Sequence, residues 1–592
     1  MKRAVTLALT FALAIVVALV PTTASSAGVT ASAAVSSASS TDQLAVGQRI
    51  YREGVLPSGQ ILQGVGQAGV TLKGKDAACT TCHRRSGYGS SEGPIEVRPI
   101  TGPALFGERV APVAPGSQGV DGVPAIKSTE SASTAPSVAE TARATAQALR
   151  AARAAQFAGG RQRPTYDDAS LARAIRTGVD VTGRAMNAAM PRYALDAADL
   201  AALTAYLRTL SVTASPGVTD TQVHFATVIQ PGATPEQRRA MIEMLEIYFN
   251  DRNRGQRAEV RRENAGQFHL GRSFHEWVLH VWDLQGPSET WGAQLENYNQ
   301  QQPVFALVSG LGRSSWQPIH DFSERHELPC ILPQADVPVV EGQGYYTVYL
   351  SQGITLEAQS LAKFLRDAGE HGPVVQVYRR GDAANTAAAA FRKAWAAGQR
   401  KLSDRVLETQ PDATFWQQLA REAPGATLVL WLRPEDLASA QPLTDKASPL
   451  KAVYLSSALV GEQRTGIAAD DAGRLRLIYP QDLPAARAAR LELVKRWMNN
   501  NGIKPADERL QLNTYIAATV VGMMVTHSKD TYSRDFLLER MEHRLGTSLE
   551  TSIYPRLSLG PGQRFASKGS YIVKLNAGAE QSFSLLSDWI VP

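Results

Sequence analysis

Five consecutive residues, Cys79-Thr80-Thr81-Cys82-His83, constrain this chain more than any other stretch. Two thiols separated by two residues share one helical turn, and the histidine that follows sets an imidazole beside them. That pattern suits the covalent attachment of one haem c. The thiols of Cys79 and Cys82 form thioethers with the vinyl groups, and His83 supplies the proximal iron ligand. A Cys-x-x-Cys pair alone also suits zinc or a dithiol couple, so the reading leans on the added histidine and on signs of export.

Export is legible at the front of the chain. Lys2 and Arg3 precede an apolar run over residues 4–20, and Pro21 with the small residues Ala24, Ser25 and Ala27 follows. Residues 1–27 therefore read as a signal peptide. An uncleaved anchor is the alternative, because the run falls just short of the ~20 residues that span a bilayer. No later segment is apolar enough to span, so the expected product is soluble in the periplasm.

The 592 residues are too many for one core and imply several domains. A net charge of +6 spread over that length, with no basic run interleaved with aromatics, gives no footprint for nucleic acid. Of the three cysteines, haem attachment uses two. Cys330, within Leu-Pro-Cys-Ile-Leu-Pro, reads as a packed thiol in a buried strand, and no intramolecular disulfide is then available.

The second axial ligand follows by elimination. Between the leader and residue 212, His83 is the only histidine, and Met186 and Met190 are the only methionines. Pro191 biases Met190 toward an extended conformation that turns its thioether outward. Met190 is thus the expected distal ligand, with Met186 as fallback and an open iron as the remaining alternative. Helices are expected over residues 42–53, capped by Asp42, and over 197–210, capped by Asp196. They can cross to close a haem crevice. Residues 111–163 are rich in Ala, Ser, Thr and Pro. They read as a low-complexity insertion, with a solvated helix near 140–156, or else as a docking arm.

The order of helix, Cys-x-x-Cys-His, loop, Met-Pro-Arg-Tyr arm and closing helix makes residues 41–212 resemble a class I cytochrome c. The resemblance implies an all-α domain. With both axial positions filled, it also implies one-electron relay in preference to haem catalysis.

Past a linker at 213–221 the pattern changes. Strands are expected at His224–Ile229, Trp277–Trp282, Val304–Val308, Cys330–Leu332, Val374–Tyr378, Thr427–Leu432, Ala452–Leu455 and Leu475–Tyr479. Helices fall between most of them, including Leu356–Asp367 and Ala383–Ala396. This is the rhythm of doubly wound α/β layers, long enough for two lobes. Residues 579–592 read as a C-terminal tail. His269, His275 and His280 are spaced by six and five residues, which does not place them on one helical face. They read as surface or packing histidines. Trp277, Trp282, Trp291 and Trp316 read as core aromatics.

The stretch Val308-Ser-Gly-Leu-Gly-Arg-Ser-Ser-Trp-Gln-Pro318, then a helix, then Leu328-Pro-Cys-Ile-Leu-Pro-Gln-Ala-Asp336, carries a second resemblance. Residues 222–578 resemble the type I periplasmic solute-binding proteins, the branched-chain amino-acid receptor family. The resemblance implies a small ligand in a crevice between two lobes, with Arg313, Ser314, Ser315, Ala335 and Asp336 as candidate contacts. Arg313 stands where a serine is common and Asp336 where a threonine is common. Arg379-Arg380-Gly381-Asp382 stands where a tyrosine-bearing loop is usual.

The chain thus reads as multidomain: an all-α class I cytochrome c domain followed by a two-lobed α/β, type I periplasmic binding protein-like domain. The leading expectation is a periplasmic mono-haem c-type cytochrome for electron transfer, with no catalytic residues. Its donor or acceptor would be a periplasmic dehydrogenase or another cytochrome, and the second module would bind a small ligand or dock that partner. The alternative is a redox-linked receptor, like the substrate-binding component of an ABC transporter, in which haem is the reporter. A haem enzyme with an open iron is a third reading.

Overall fold

The computed structural model describes residues 31–92, 95–107, 164–264, 274–342, 344–396, 401–461, 467–469, 473–527, 531–545, 552–576 and 583–592. The leader 1–27, the insertion 111–163 with its expected helix, and His269 lie outside them. By internal contacts the chain divides into two compact units, Met1–Cys82 with Ile100–Leu210, and His83–Pro99 with Ser211–Pro592.

The first unit is built on the helices Ala31–Glu53, Gly102–Phe106, Asp168–Thr177 and Ala197–Thr209. The opening helix starts at Ala31, so Asp42 lies inside it and is not the cap expected from the sequence. Asp196 does cap the closing helix, its carboxylate accepting the Asp199 N–H at 2.8 Å. The two helices meet at Gly47, where a Cβ would lie 2.1 Å from the carbonyl oxygen of Ala202. Only a glycine allows that approach. The rings of Tyr51 and Tyr206 then pack at 5.3 Å, within an apolar cluster that includes Ile50, Leu200, Leu203 and Leu207.

The unit is not wholly helical. Short strands at Gln63–Val65, Thr71–Lys73 and Arg192–Tyr193 form a three-stranded antiparallel sheet. Pro191 puts the chain into extended backbone, and Arg192–Tyr193 continue it onto the edge at Gly64 and Val65. Tyr193 Oη donates to the carbonyl of Ala77 at 2.8 Å.

Residues His83–Pro99, inside the expected span 41–212, group with the second unit by their contacts. Within that unit the Arg85 guanidinium lies 4.3 Å from the ring centre of Tyr345 and 3.6 Å from Asp535. The Ser86 N–H donates to Glu539 at 2.9 Å, and Tyr88 packs on Phe536 at 4.5 Å. The presumed linker 213–221 is also anchored. Ser215 N–H donates to the Tyr532 carbonyl at 2.9 Å, and Ser215 Oγ accepts from Arg534 N–H at 3.0 Å.

The first lobe of the second unit holds strands β1 (Gln222–Ile229), β2 (Glu276–Asp283), β3 (Ala306–Val308), β4 (Leu311–Ser315), β5 (Cys330–Ile331), β6 (Gln334–Val337) and β7 (Thr347–Val348). They pair in the order β6-β4-β1-β3-β5-β7, with β2 also on β1, and every pairing is parallel. The second lobe holds β8 (Val374–Arg379), β9 (Leu402–Leu407), β10 (Thr427–Trp431), β11 (Ala452–Ser456), β12 (Leu475–Tyr479), β13 (Tyr571–Leu575) and β14 (Phe583–Leu585). Their order is β9-β8-β10-β11-β12-β13-β14, parallel up to β12 and antiparallel beyond it. The expected tail 579–592 therefore contributes an edge strand.

Central strands such as Thr427-Leu-Val-Leu-Trp431 are apolar throughout because helices cover both faces. Leu428, Leu430, Val453 and Leu455 enter one apolar cluster, while Val429, Trp431, Ala452 and Tyr454 enter the other. After β12 the helices Pro484–Asn500, Glu508–His527 and Arg534–Arg544 return to the first lobe, where they share a core with Phe225, Val308 and Ile331. The chain thus crosses between lobes after β7, after β12 and again before β13. Two of these crossings are tied together, with Tyr349 N–H on Arg564 O at 2.8 Å and Ala566 N–H on Tyr349 O at 3.1 Å.

Two predictions follow from the packing. Gly47→Val should destabilise the first unit by about 1–3 kcal/mol, the usual cost of forcing atoms into a filled contact, as read by denaturant unfolding. Glu357 is fully buried, accepts from Ser457 Oγ at 3.0 Å and Ala458 N–H at 2.9 Å, and is pushed up to about 7 by burial. The folded state therefore keeps a proton that the unfolded chain has already lost, and stability should fall as pH rises from the ordinary glutamate value through about 7. Glu357→Gln should flatten that slope in unfolding curves taken across the window.

Candidate functional site

Two of the sequence-predicted groups come together in the first lobe. β4 and β6 run side by side in parallel, with Gly312 opposite Ala335 and Ser315 opposite Val337. Arg313, Ser314 and Ser315 therefore neighbour Ala335 and Asp336 at the sheet edge. No strand was expected over the first three from the sequence, but they are strand residues. The indole of Trp316 is fully buried and packs so close that a Cβ on Gly312 would lie 2.5 Å from it.

Gln230, buried at the end of β1, fixes this edge from below. Its Oε1 accepts from Ser314 N–H and Ser314 Oγ, both at 3.1 Å, and its Nε2 donates to Ser315 O at 3.0 Å. The Ser314 hydroxyl is thus engaged in holding its own strand. Ala335 packs against the apolar cluster beneath, and Ser315 N–H reaches across to Asp382 Oδ2 at 3.2 Å. Asp382 belongs to the second lobe, just beyond β8.

Further cross-lobe contacts gather around Arg313. Asp336 Oδ2 accepts from Arg433 at 2.9 Å, and Arg433 follows β10 at the start of the helix Pro434–Leu437. Arg509, on a helix of the first lobe, reaches the carbonyls of Ser457 and Ala458 at 3.5 Å. Arg313 itself donates to Gln237 Oε1 at 2.6 Å, and Gln237 donates to Asp507 at 3.1 Å. Burial lowers the pKa of Arg313, and Arg433 and Arg509 add to that shift while Asp336 and Glu435 oppose it. The group remains a cation, because an arginine cannot shed its proton near neutral pH.

Arg379 is turned to other use, paired with Asp436 at 2.6 Å. Gln230, Arg433 and Arg509 were not singled out from the sequence, and Asp382 was noted only as the end of the Arg379–Asp382 stretch. Arg433 carried a usable signal, since it ends a parallel strand just before Pro434, where crevice residues of such sheets lie.

The Cys-x-x-Cys-His run is a single helical turn, Thr80–His83, with Cys79 immediately before it. Cys79, Cys82 and Cys330 carry no disulfide. Cys79 packs against the first unit's apolar cluster, and burial pushes its thiol up to about 12. Cys330 is fully buried and is pushed to a similar value by the same cause. His83 Nδ1 lies 3.1 Å from the carbonyl oxygen of Arg98. A carbonyl only accepts, so Nδ1 carries the proton and Nε2 keeps its lone pair. Burial lowers the imidazole to about 4, which leaves it neutral.

Two unbridged thiols and one neutral Nε2 are the donor set that a covalent haem requires. Met186 packs on the same apolar cluster as Cys79. Met190 is half-buried, with its N–H on Asn187 O at 3.1 Å and its carbonyl held by Arg192. Arg192 also reaches Met186 O at 3.4 Å, so one guanidinium ties the loop that carries both methionines. Elsewhere, His224 Nδ1 lies 3.0 Å from His280 Nε2, and His275 packs on Tyr532.

No protein-family model matches this chain, and no curated protein matches it. Solved structures similar to it include a leucine-binding protein from Thermotoga maritima, 14% identical over 62% of this chain and 99% of that one, with a TM-score of 0.45. Another is a fatty acid ABC transporter substrate-binding protein from Thermomonospora curvata, 15% identical over 64% and 95%, with a TM-score of 0.43. A third is an ABC transporter solute-binding protein from R. palustris in complex with benzoate, 13% identical over 63% and 98%, with a TM-score of 0.45. Strand order and the three crossings make the second unit a two-lobed α/β body. No helix of the described residues is long and apolar enough to cross a membrane.

Asp336→Asn should loosen the tie to Arg433 at a cost in stability below about 1 kcal/mol, since the pair is partly solvated. Hydrogen exchange should quicken at residues 334–337 and 433–437 and stay unchanged in β10.

Proposed function

We propose that this chain is an exported, redox-linked receptor. Its second unit takes a small ligand between two lobes, and its first unit carries one haem c attached through Cys79 and Cys82. The observation that carries the reading is the meeting of groups from both lobes beside Arg313, the Asp336 carboxylate with Arg433 and the Ser315 backbone N–H with Asp382. Groups from two bodies joined by three chain crossings can change partners when a ligand enters, which is how such a crevice reports occupancy.

His83 is the proposed proximal ligand, its ring held by the Arg98 carbonyl. Met190 is the proposed distal ligand, with Met186 as its substitute. A haem held in this way supplies one-electron exchange. The segment that begins at His83 is anchored within the second unit by Arg85 on Tyr345 and Ser86 on Glu539, next to β7, where the chain first crosses between lobes. Lobe movement therefore has a short path to the His83 imidazole. A leader at residues 1–27 and a periplasmic site of action complete the proposal, with a periplasmic dehydrogenase or another cytochrome as the electron partner.

A plain electron carrier is the second reading, favoured by the prepared Nε2 of His83. The two separate on one measurement, the midpoint potential with and without bound ligand. A receptor shifts it; a carrier with an independent docking module does not. Native mass spectrometry of protein from a host that matures c-type cytochromes should show the mass of one haem and loss of the leader; zero or two haems would contradict the assignment. Met190→Ala should lower the potential and change the reduced spectrum, because a thioether favours ferrous iron. Met186→Ala should leave both nearly as they were.

A further inference from the structure

A thioether is a neutral, weak iron ligand, so its hold depends on how firmly the chain presents it. Met190 ends a loop that begins where the helix Asp168–Thr177 stops. Gly178 closes that helix with φ 71°, Val179 and Ala185 pair across the loop, and Met186 N–H donates to Gly178 O at 2.8 Å. Asp180 holds the tip, accepting from Thr182 N–H at 2.8 Å and Arg184 N–H at 3.0 Å. Asn187 makes the next turn. Its side chain accepts from Ala189 N–H at 2.9 Å and its carbonyl from Met190 N–H at 3.1 Å.

These bonds hold each turn, and Arg192 ties the turns to each other and to the sheet. Its backbone lies in the short antiparallel sheet, opposite Val65. Its guanidinium donates to the carbonyl of Met190 through Nη1, and Nη2 reaches the carbonyls of Met186 at 3.4 Å and Asn187 at 3.5 Å. The fork lies over Gly178, where a Cβ would run into it. Gly178 is thus needed twice, for its left-handed backbone and for the space that the guanidinium fills. All three acceptors are neutral carbonyls, a use that suits several donors in one rigid plane better than a single ammonium.

We infer that Arg192 is the positioning residue for the distal iron ligand: its guanidinium braces the Met186–Met190 loop so that the Met190 thioether stays at the iron and keeps the reduction potential high. Met186 packs on the first unit's apolar cluster, and the same guanidinium holds the carbonyls of both methionines. Without the brace the loop loosens, and an outside ligand displaces the thioether more easily. Groups that orient a metal ligand in this way are typically worth ~10-fold or more in affinity.

The inference rests on the haem reading, and the experiment separates the two. The full mature protein, purified with its haem and oxidised, is titrated with imidazole, which reaches the ferric iron only by displacing the thioether. Arg192→Gln should bind imidazole ~10-fold more tightly than the unaltered protein. It should also lose part of the sulfur-to-iron band of the ferric spectrum and show a lower midpoint potential, while still carrying the mass of one haem. Arg192→Lys, which keeps the charge but not the fork, should fall between the two. In the Met190→Ala background Arg192→Gln should add nothing, because the arginine acts through the thioether. If Arg192→Gln fails to fold, Arg192→Lys and Gly178→Ala, which drives a methyl group into the guanidinium, give the same test with a smaller expected rise.

Arg192→Gln protein that carries one haem yet matches the unaltered protein in imidazole affinity, spectrum and potential overturns the inference and leaves the haem reading standing. An undiminished effect of Arg192→Gln in the Met190→Ala background overturns it as well. Unaltered mature protein that carries no haem removes the haem reading and the inference with it.

Discussion

The β4 edge, where hydrogen bonds from both lobes meet, is the constraint around which the crevice is organised. Each guanidinium there costs desolvation, which neutral amides and fixed geometry offset. Gln237 takes one Arg313 donor, Asp336 takes Arg433, and the Ser457 and Ala458 carbonyls lie near Arg509. Gln230 then locks the strand that presents Arg313, and Trp316 packed over Gly312 keeps that strand flat against the sheet. Remove any of these and the cation loses its setting.

The three chain crossings give this electrostatic arrangement its mechanical meaning. Asp336 lies in the first lobe's sheet and Arg433 just past a strand of the second, so their bond spans two bodies that share no strand. A ligand that competes for Arg433, or that recruits Arg313 away from Gln237, changes the balance between the lobes. The proposed link to haem runs through the segment from His83 to Pro99, which packs with the second unit through Arg85, Ser86 and Tyr88.

Much of the α/β module was legible because its signals are local and periodic. Thr427-Leu-Val-Leu-Trp and Leu475-Arg-Leu-Ile-Tyr are strands where their apolar, β-branched and aromatic runs indicate them. β4 was not, because Gly312-Arg-Ser-Ser315 has little strand preference of its own. Its place in the sheet is held by Gln230, a contact between distant parts of the chain. Asp42 read as a cap because it precedes an apolar helical pattern, yet the helix extends upstream through small residues. Arg509 escaped notice because its role depends on a helix returning to the first lobe after β12. The Cys79–His83 run is the opposite case, five contiguous residues whose proposed haem chemistry is read from residue type and spacing. The choice between Met186 and Met190 is less local, since one packs on the apolar cluster and the other is held through its backbone by Arg192.

The most direct test is a crystal structure of the mature protein purified from a host that matures c-type cytochromes. The account predicts one haem joined to Cys79 and Cys82 with His83 on the iron, and density for a small molecule between the lobes beside Arg313. Unmodified thiols, or a bound molecule seated only outside that crevice, would contradict it.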